Sequence, residues 1–180
     1  FLAQHGIMVI GNDHLGHGET ARDEDELGYF PGVNGSETVV DDLYKVTTSI
    51  RAQYPRLPYF LLGHSMGSFM ARRYLMTYGR QLDGAILMGT GSQPPALLSA
   101  AKTTANSLSL VRGEHHRSQL MMKMAFGSYN KQYPSVRTEY DWLSRNDANV
   151  DTYLEDPYCG FMFTLNGYKV LFDVLSFIQE

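Results

Sequence analysis

The sequence predicts an α/β fold: a mostly parallel sheet covered by helices, followed by a helical insertion. Three observations lead there. Short apolar runs alternate with stretches of helical spacing as far as Gly91, the connections between them are short, and after Ser92-Gln93-Pro94-Pro95 the apolar spacing stays helical.

Residues 6–13, Gly-Ile-Met-Val-Ile-Gly-Asn-Asp, form a short apolar run of the kind a strand buried on both faces requires. Residues 14–35 are rich in Gly, Asp and Glu and read as a loop. Over residues 36–54, Val39, Leu43, Val46 and Ile50 recur at helical steps, with Ser36 as the expected cap and Pro55 just past the end. Residues 58–62 make a second buried strand. A helix over 66–78 follows through Met70, Tyr74, Leu75 and Tyr78, with Gly79 as its expected stop. Residues 85–88 are a third strand, closed by Gly89 and Gly91. Helices are expected over 96–110, 119–126, 147–154 and 166–178. The division is therefore a sheet domain over 1–92 and a helical cap over 93–178.

Composition excludes several classes. With 43% apolar and 19% charged residues, this 180-residue chain can bury a core, and a net charge of −4 argues against disorder and nucleic acid. Arg112, His115, His116 and Arg117, the nearest thing to a basic cluster, read as a solvated helix end or loop. Cys159 is the one cysteine, so no intrachain disulfide can form, and no metal site or cofactor is expected. No run reaches the ~20 apolar residues of a membrane span. Phe1 opens the chain without a leader, and 171–180 ends it within a helical pattern, so both ends are expected to be cut. A cytoplasmic location is expected, with the true N-terminus lying elsewhere.

Chemistry is concentrated in Gly63-His64-Ser65-Met66-Gly67. Gly-x-Ser-x-Gly arises by chance in roughly one chain of this size in twenty, so context decides its weight. Here it stands between a buried strand and a helix, where a sharp turn lifts a serine hydroxyl to the C-terminal edge of a sheet. Gly63 and Gly67 lack the Cβ that would obstruct such a turn. Ser65 is the expected nucleophile, and the backbone N–H of Met66 one donor to a developing oxyanion. The plainer alternative makes Ser65 an ordinary helix cap. A second segment, Asp13-His14-Leu15-Gly16-His17-Gly18-Glu19-Thr20, follows the first strand; alone it is only a glycine-containing turn with two histidines.

Together these segments resemble the monoacylglycerol lipase and lysophospholipase branch of the α/β-hydrolases. Asp13 and Gly16-His17-Gly18 match the branch's strand-end Asp and Gly-His-Gly turn, and all five elbow positions match. The stretches Asp141-Trp142-Leu143-Ser144-Arg145 and Asp156-Pro157-Tyr158-Cys159-Gly160-Phe161 look like cap segments of bacterial members. The resemblance implies a partial α/β-hydrolase fold of three layers with a helical cap and with terminal strands missing. It places the family's oxyanion loop before Phe1 and its catalytic Asp and His after Glu180, so neither acid nor base is expected in this chain. His115 and His116 follow Ser65 but precede Asp141, Asp147, Asp151, Asp156 and Asp173, which breaks the order serine, acid, histidine.

The implied reaction is carboxylic ester hydrolysis through an acyl-enzyme on Ser65, on a monoglyceride or lysophospholipid, with negligible turnover by this piece alone. Thioesterases, acyltransferases and carbon–carbon bond hydrolases share the elbow, and a non-catalytic protein on the same fold is the remaining alternative. Cap residues such as Leu97, Leu108, Met121, Met124, Phe161 and Phe163 are expected mostly to pack helices together, with some lining an acyl pocket. Transient contact of the cap with a membrane surface is also an expectation; no protein partner is implied.

Overall fold

The computed structural model describes residues 1–32 and 34–179; Val33, in the expected loop, and Glu180, at the end of the last helical run, lie outside them. Two strands, β1 (Phe60–His64) and β2 (Gly84–Met88), pair in parallel with Phe60 opposite Gly84 and His64 opposite Met88. Helix α1 (Gly35–Gln53) precedes β1, and α2 (Met66–Tyr78) crosses from β1 to β2. Then come α3 (Pro95–Arg112), α4 (Gln119–Phe126), α5 (Asp147–Glu155) and α6 (Leu165–Phe177). The α/β fold with a parallel sheet and a helical second part is thus what the chain adopts.

Helix α2 packs on the face of β1 that carries Leu61 and Gly63, where Gly63 faces the methyl group of Ala71. Phe60 and Leu62 alternate onto the opposite face, which is exposed among the described residues. Burial of these strands on both faces is therefore not seen here. The expected strand over 6–13 does not form either, and Ile7, Met8, Val9 and Ile10 are exposed. A strand needs ladder partners, and no described segment pairs with this one.

The core is helical. Phe30, Val39, Val40, Met70 and Tyr74 from the first half join Leu98, Met121, Leu165, Tyr168 and Phe172 from the second in one cluster. Large apolar side chains buried like these contribute about 2 kcal/mol each. Helix α6 is at its centre: it packs on α3 and also reaches α1 and α2. Thr164 starts α6, accepting the Gly167 N–H at 3.1 Å and donating to the Gly28 carbonyl at 2.9 Å.

Local polar contacts revise three expectations. Ser36 does not cap α1, because it lies inside the helix, where its hydroxyl accepts a hydrogen bond from buried Arg73 at 2.7 Å. Arg73 also pairs with Glu37 at 3.0 Å and lies 4.3 Å from the centre of the Phe177 ring, joining α1, α2 and α6. Gly79 does follow α2, but in a right-handed conformation (φ −56°) that leads into a short 3₁₀ turn, so its freedom is not used as a stop. Arg117 is no solvated helix end: its guanidinium donates to the carbonyls of Met162, Glu24 and Leu27 at 3.1, 2.7 and 2.8 Å. Beside it, His115 stacks on Tyr29 with ring centres 3.9 Å apart.

Candidate active site

Ser65 is the one non-glycine residue with positive φ among the described residues, at φ 51° and ψ −121°. Such a backbone costs on the order of 1–3 kcal/mol and persists only where surrounding contacts impose it. Here the Ser65 N–H continues the sheet by donating to the Met88 carbonyl at 3.0 Å. Its carbonyl accepts both the N–H and the hydroxyl of Ser68, at 2.8 and 2.6 Å. Both sides of the peptide are therefore held, and the residue between them is turned out from the end of β1 into solvent.

The two glycines of the motif do different work. A Cβ on Gly63 would stand 2.4 Å from the Gly67 carbonyl oxygen and 2.8 Å from the Ala71 methyl, so only glycine fits. A Cβ on Gly67 would meet nothing within 4 Å among the described residues. Gly67 supplies the backbone that closes on Gly63; its own missing side chain relieves no clash.

The capping role for Ser65 is not what its side chain performs, since Oγ accepts no N–H from α2. The N–H groups of Met66 and Gly67 lie in the first turn of α2, where no earlier helical carbonyl can reach them. An exposed hydroxyl thus stands beside backbone donors that have no acceptor among the described residues, at the positive end of a helix dipole, an arrangement suited to holding an oxyanion.

The six histidines do not complete it, for none hydrogen-bonds to Ser65 among the described residues. His64 precedes it on the strand and lies beside Gly89, His115 is held by Tyr29, and His5 bonds to the Phe1 carbonyl at 2.8 Å. His116 gives its carbonyl to the Leu165 N–H at 2.9 Å. Nor do three or more His, Cys, Asp or Glu side chains gather as metal ligands would among the described residues. No helix there is long and apolar enough to cross a membrane.

The Gly16-His17-Gly18 turn is built as tightly as the elbow. The Asp13 carboxylate accepts the Glu19 N–H at 2.9 Å, and Gly18, at φ 51°, leaves no room for a Cβ beside that carboxylate. His17 donates Nδ1–H to the Leu15 carbonyl at 3.0 Å, which leaves Nε2 as the acceptor of a neutral ring. The ring packs against Phe30, Phe161 and Phe163 at centre distances of 5.5, 5.4 and 5.5 Å. Burial pushes the His17 pKa below its ordinary value. The same holds for His14, where the His17 charge adds to the effect and Asp13 and Asp42 oppose it. Sequence spacing could not show that this turn docks on the Phe161–Phe163 stretch, because the contact spans the whole cap.

Among the described residues, one cleft has a volume of about 540 Å³ and another about 630 Å³. The first is lined by charged residues such as Arg73, Lys102 and Lys169, the second by Arg117, Tyr158 and Phe161; neither includes Ser65.

Comparison with known proteins places this geometry in context. A family model described as serine aminopeptidase, S33, matches residues 1–180. Monoglyceride lipase of Rattus norvegicus is 26% identical over 176 residues, covering 96% of this chain and 48% of the relative. The Homo sapiens monoglyceride lipase is 26% identical over 170 residues, covering 93% and 47%. The chain thus spans about half the length of the curated relatives it matches. Among solved structures, a highly thermostable carboxyl esterase from Bacillus coagulans, in complex with glycerol, superposes with a TM-score of 0.81 at 28% identity. That match covers 92% of this chain and 54% of the esterase. A lipase in its open form gives a TM-score of 0.74 at 23% identity over 91% of this chain and 54% of the lipase, a likeness of fold.

Proposed function

The chain belongs to the serine aminopeptidase S33 family of α/β-hydrolases, monoacylglycerol lipase-like, and from that membership we propose that the whole protein hydrolyses carboxylic esters through an acyl-enzyme on Ser65. The observation that carries the reading is the backbone of Ser65, φ 51° at a strand-to-helix turn, with its hydroxyl exposed beside the N–H of Met66.

In this reading a base abstracts the Ser65 proton as Oγ attacks the ester carbonyl, and the carbonyl oxygen becomes an oxyanion held by the Met66 N–H and a second donor. Collapse expels the alcohol, which takes the proton. Water then attacks the acyl-serine, releasing the acid and restoring the hydroxyl. We assign the base and its acid partner to no residue of this chain, since none of its histidines is bonded to Ser65 among the described residues. A piece with these residues alone is then expected to turn over negligibly, because an unassisted serine is a poor nucleophile at neutral pH.

The relatives' names favour a monoglyceride as substrate, with a lysophospholipid as the next of its class. Residues 93–178 would form the cap over the acyl chain. A fluorophosphonate probe on the full-length protein tests the nucleophile: labelling of wild type and none of Ser65→Ala is expected, and labelling of both would sink the assignment. Analysis of products with and without added glycerol separates hydrolysis, which yields free acid in both, from transfer, which yields a new ester.

A further inference from the structure

The helical segment that leaves the sheet at Gln93 comes back to the same place. The Gln93 N–H donates to Oε1 of Gln179 at 2.8 Å, and Nε2 of Gln179 donates to the Gln93 carbonyl at 2.8 Å. Eighty-odd residues of mostly helical chain are thus closed by a pair of reciprocal hydrogen bonds between their two ends.

The same junction is bonded to α2. Arg72 lies seven residues after Ser65, about 10 Å along the helix axis. One guanidinium nitrogen donates to the Gly91 carbonyl at 2.8 Å and reaches Thr90 Oγ1 at 3.4 Å; another donates to the Ile178 carbonyl at 3.1 Å. One planar fork therefore grips the outgoing strand end and the returning helix end together, a geometry that a lysine ammonium cannot reproduce. Hydrogen bonds from a charged donor are among the stronger ones in proteins. Nothing in the proposed chemistry at Ser65 requires this arginine.

We infer that Arg72 is a positioning residue that fixes both ends of the 93–178 segment to the helix following Ser65, and so sets how long acyl chains reach that serine. The inference rests on the proposed ester-hydrolase reading for its effect on substrate, but not for the latch itself. Without the fork, the returning end is held to α2 only by the packing of α6 and the Arg73–Phe177 contact, and the outgoing end at Gly91 loses its bond to α2, so both junctions loosen. The segment then moves relative to Ser65, which matters for an ester whose chain must lie along it and little for one too short to touch it.

The test uses the full-length protein as wild type, Arg72→Met, Arg72→Lys and Gln179→Leu. Amide hydrogen exchange is read over residues 90–93 and 176–179, and kcat/KM is measured for 4-nitrophenyl acetate and for palmitoylglycerol. In Arg72→Met, exchange at both junctions is expected to quicken by about tenfold, and kcat/KM for palmitoylglycerol to fall about tenfold further than for the acetate. Most of that loss should appear in KM. Arg72→Lys should recover little of either effect. Gln179→Leu, which leaves the fork in place, should shift both in the same direction but less, and Arg72→Lys decides the matter by the same two readouts if Arg72→Met does not fold. Unchanged exchange, exchange quickened at one junction alone, or equal losses for the two esters would overturn the inference. If Ser65→Ala hydrolyses both esters as wild type does, the hydrolase reading fails and the exchange measurement alone judges the latch.

Discussion

Gly63 closes on the backbone of Gly67: the place where a Gly63 Cβ would stand is 2.4 Å from the Gly67 carbonyl oxygen. The end of β1 and the first turn of α2 are in van der Waals contact there, and this contact lets the chain reverse within the single residue Ser65. Gly63→Ala must push α2 off the strand, at a cost of about 3 kcal/mol. Gly67→Ala, which meets nothing among the described residues and gains helix propensity, should cost less than about 1 kcal/mol. Urea unfolding of the two variants gives the order; equal losses would show that the close approach is not what restricts the turn.

The strain at Ser65 makes an opposite prediction for stability and for activity. At φ 51° and ψ −121°, Ser65→Gly removes the steric cost and should stabilise the protein by about 1 kcal/mol after the entropy of the added glycine is counted. In the full-length protein the proposed ester hydrolysis should fall by about 10⁴-fold or more if Ser65 is its nucleophile. A thermal melt beside a rate measurement checks both. A destabilised Ser65→Gly would mean that the side chain holds the turn rather than being strained by it.

What the sequence could reveal follows from the range of each interaction. Helices α2 and α4 begin and end where apolar spacing places them, because that signal is local. The elbow is legible for the same reason, being five consecutive residues between two regular elements. The strand over 6–13 is not, since its apolar run states only that a strand would be stable if paired. Arg117 was equally opaque: its three acceptors lie 45 to 93 positions away, so the sequence shows a charge near two histidines and nothing of its partners. His17 belongs with it, as its aromatic neighbours Phe161 and Phe163 are supplied from the far end of the cap.

Arg117 ties the loop around Glu24–Leu27 to the chain at Met162 through three carbonyls. Arg117→Met keeps the stem but leaves those acceptors without their donor, and should destabilise by about 2–3 kcal/mol. Arg117→Lys should restore less than half of this, because one ammonium cannot span the three sites. Denaturant midpoints decide it. If the methionine variant is as stable as wild type, the carbonyls find water instead and the clamp is not needed.

His14 and His17 give the fold a pH dependence whose sign is fixed. Burial is the first cause of the lowered pKa of each, and in both the attraction of Asp13 falls short of offsetting it. A histidine harder to protonate when folded binds more protons when unfolded, so stability rises with pH across its titration. The contribution is complete above the unfolded value of about 6.5 and is lost as pH falls from there towards the lower folded values. The Gly16-His17-Gly18 turn should therefore loosen first on acidification, as the imidazolium cannot remain among Phe30, Phe161 and Phe163. His17→Phe would keep the aromatic packing and remove the charge, but would also remove the hydrogen bond to Leu15. His14→Gln is the cleaner companion, because it leaves the Phe161–Phe163 contact intact. Melting temperatures from pH 8 down to about 5 should fall less steeply in each variant than in wild type. Parallel curves for all three would place the acid sensitivity elsewhere, in carboxylates such as Asp83, whose pKa is lowered first by the Tyr59 N–H and then by Arg51.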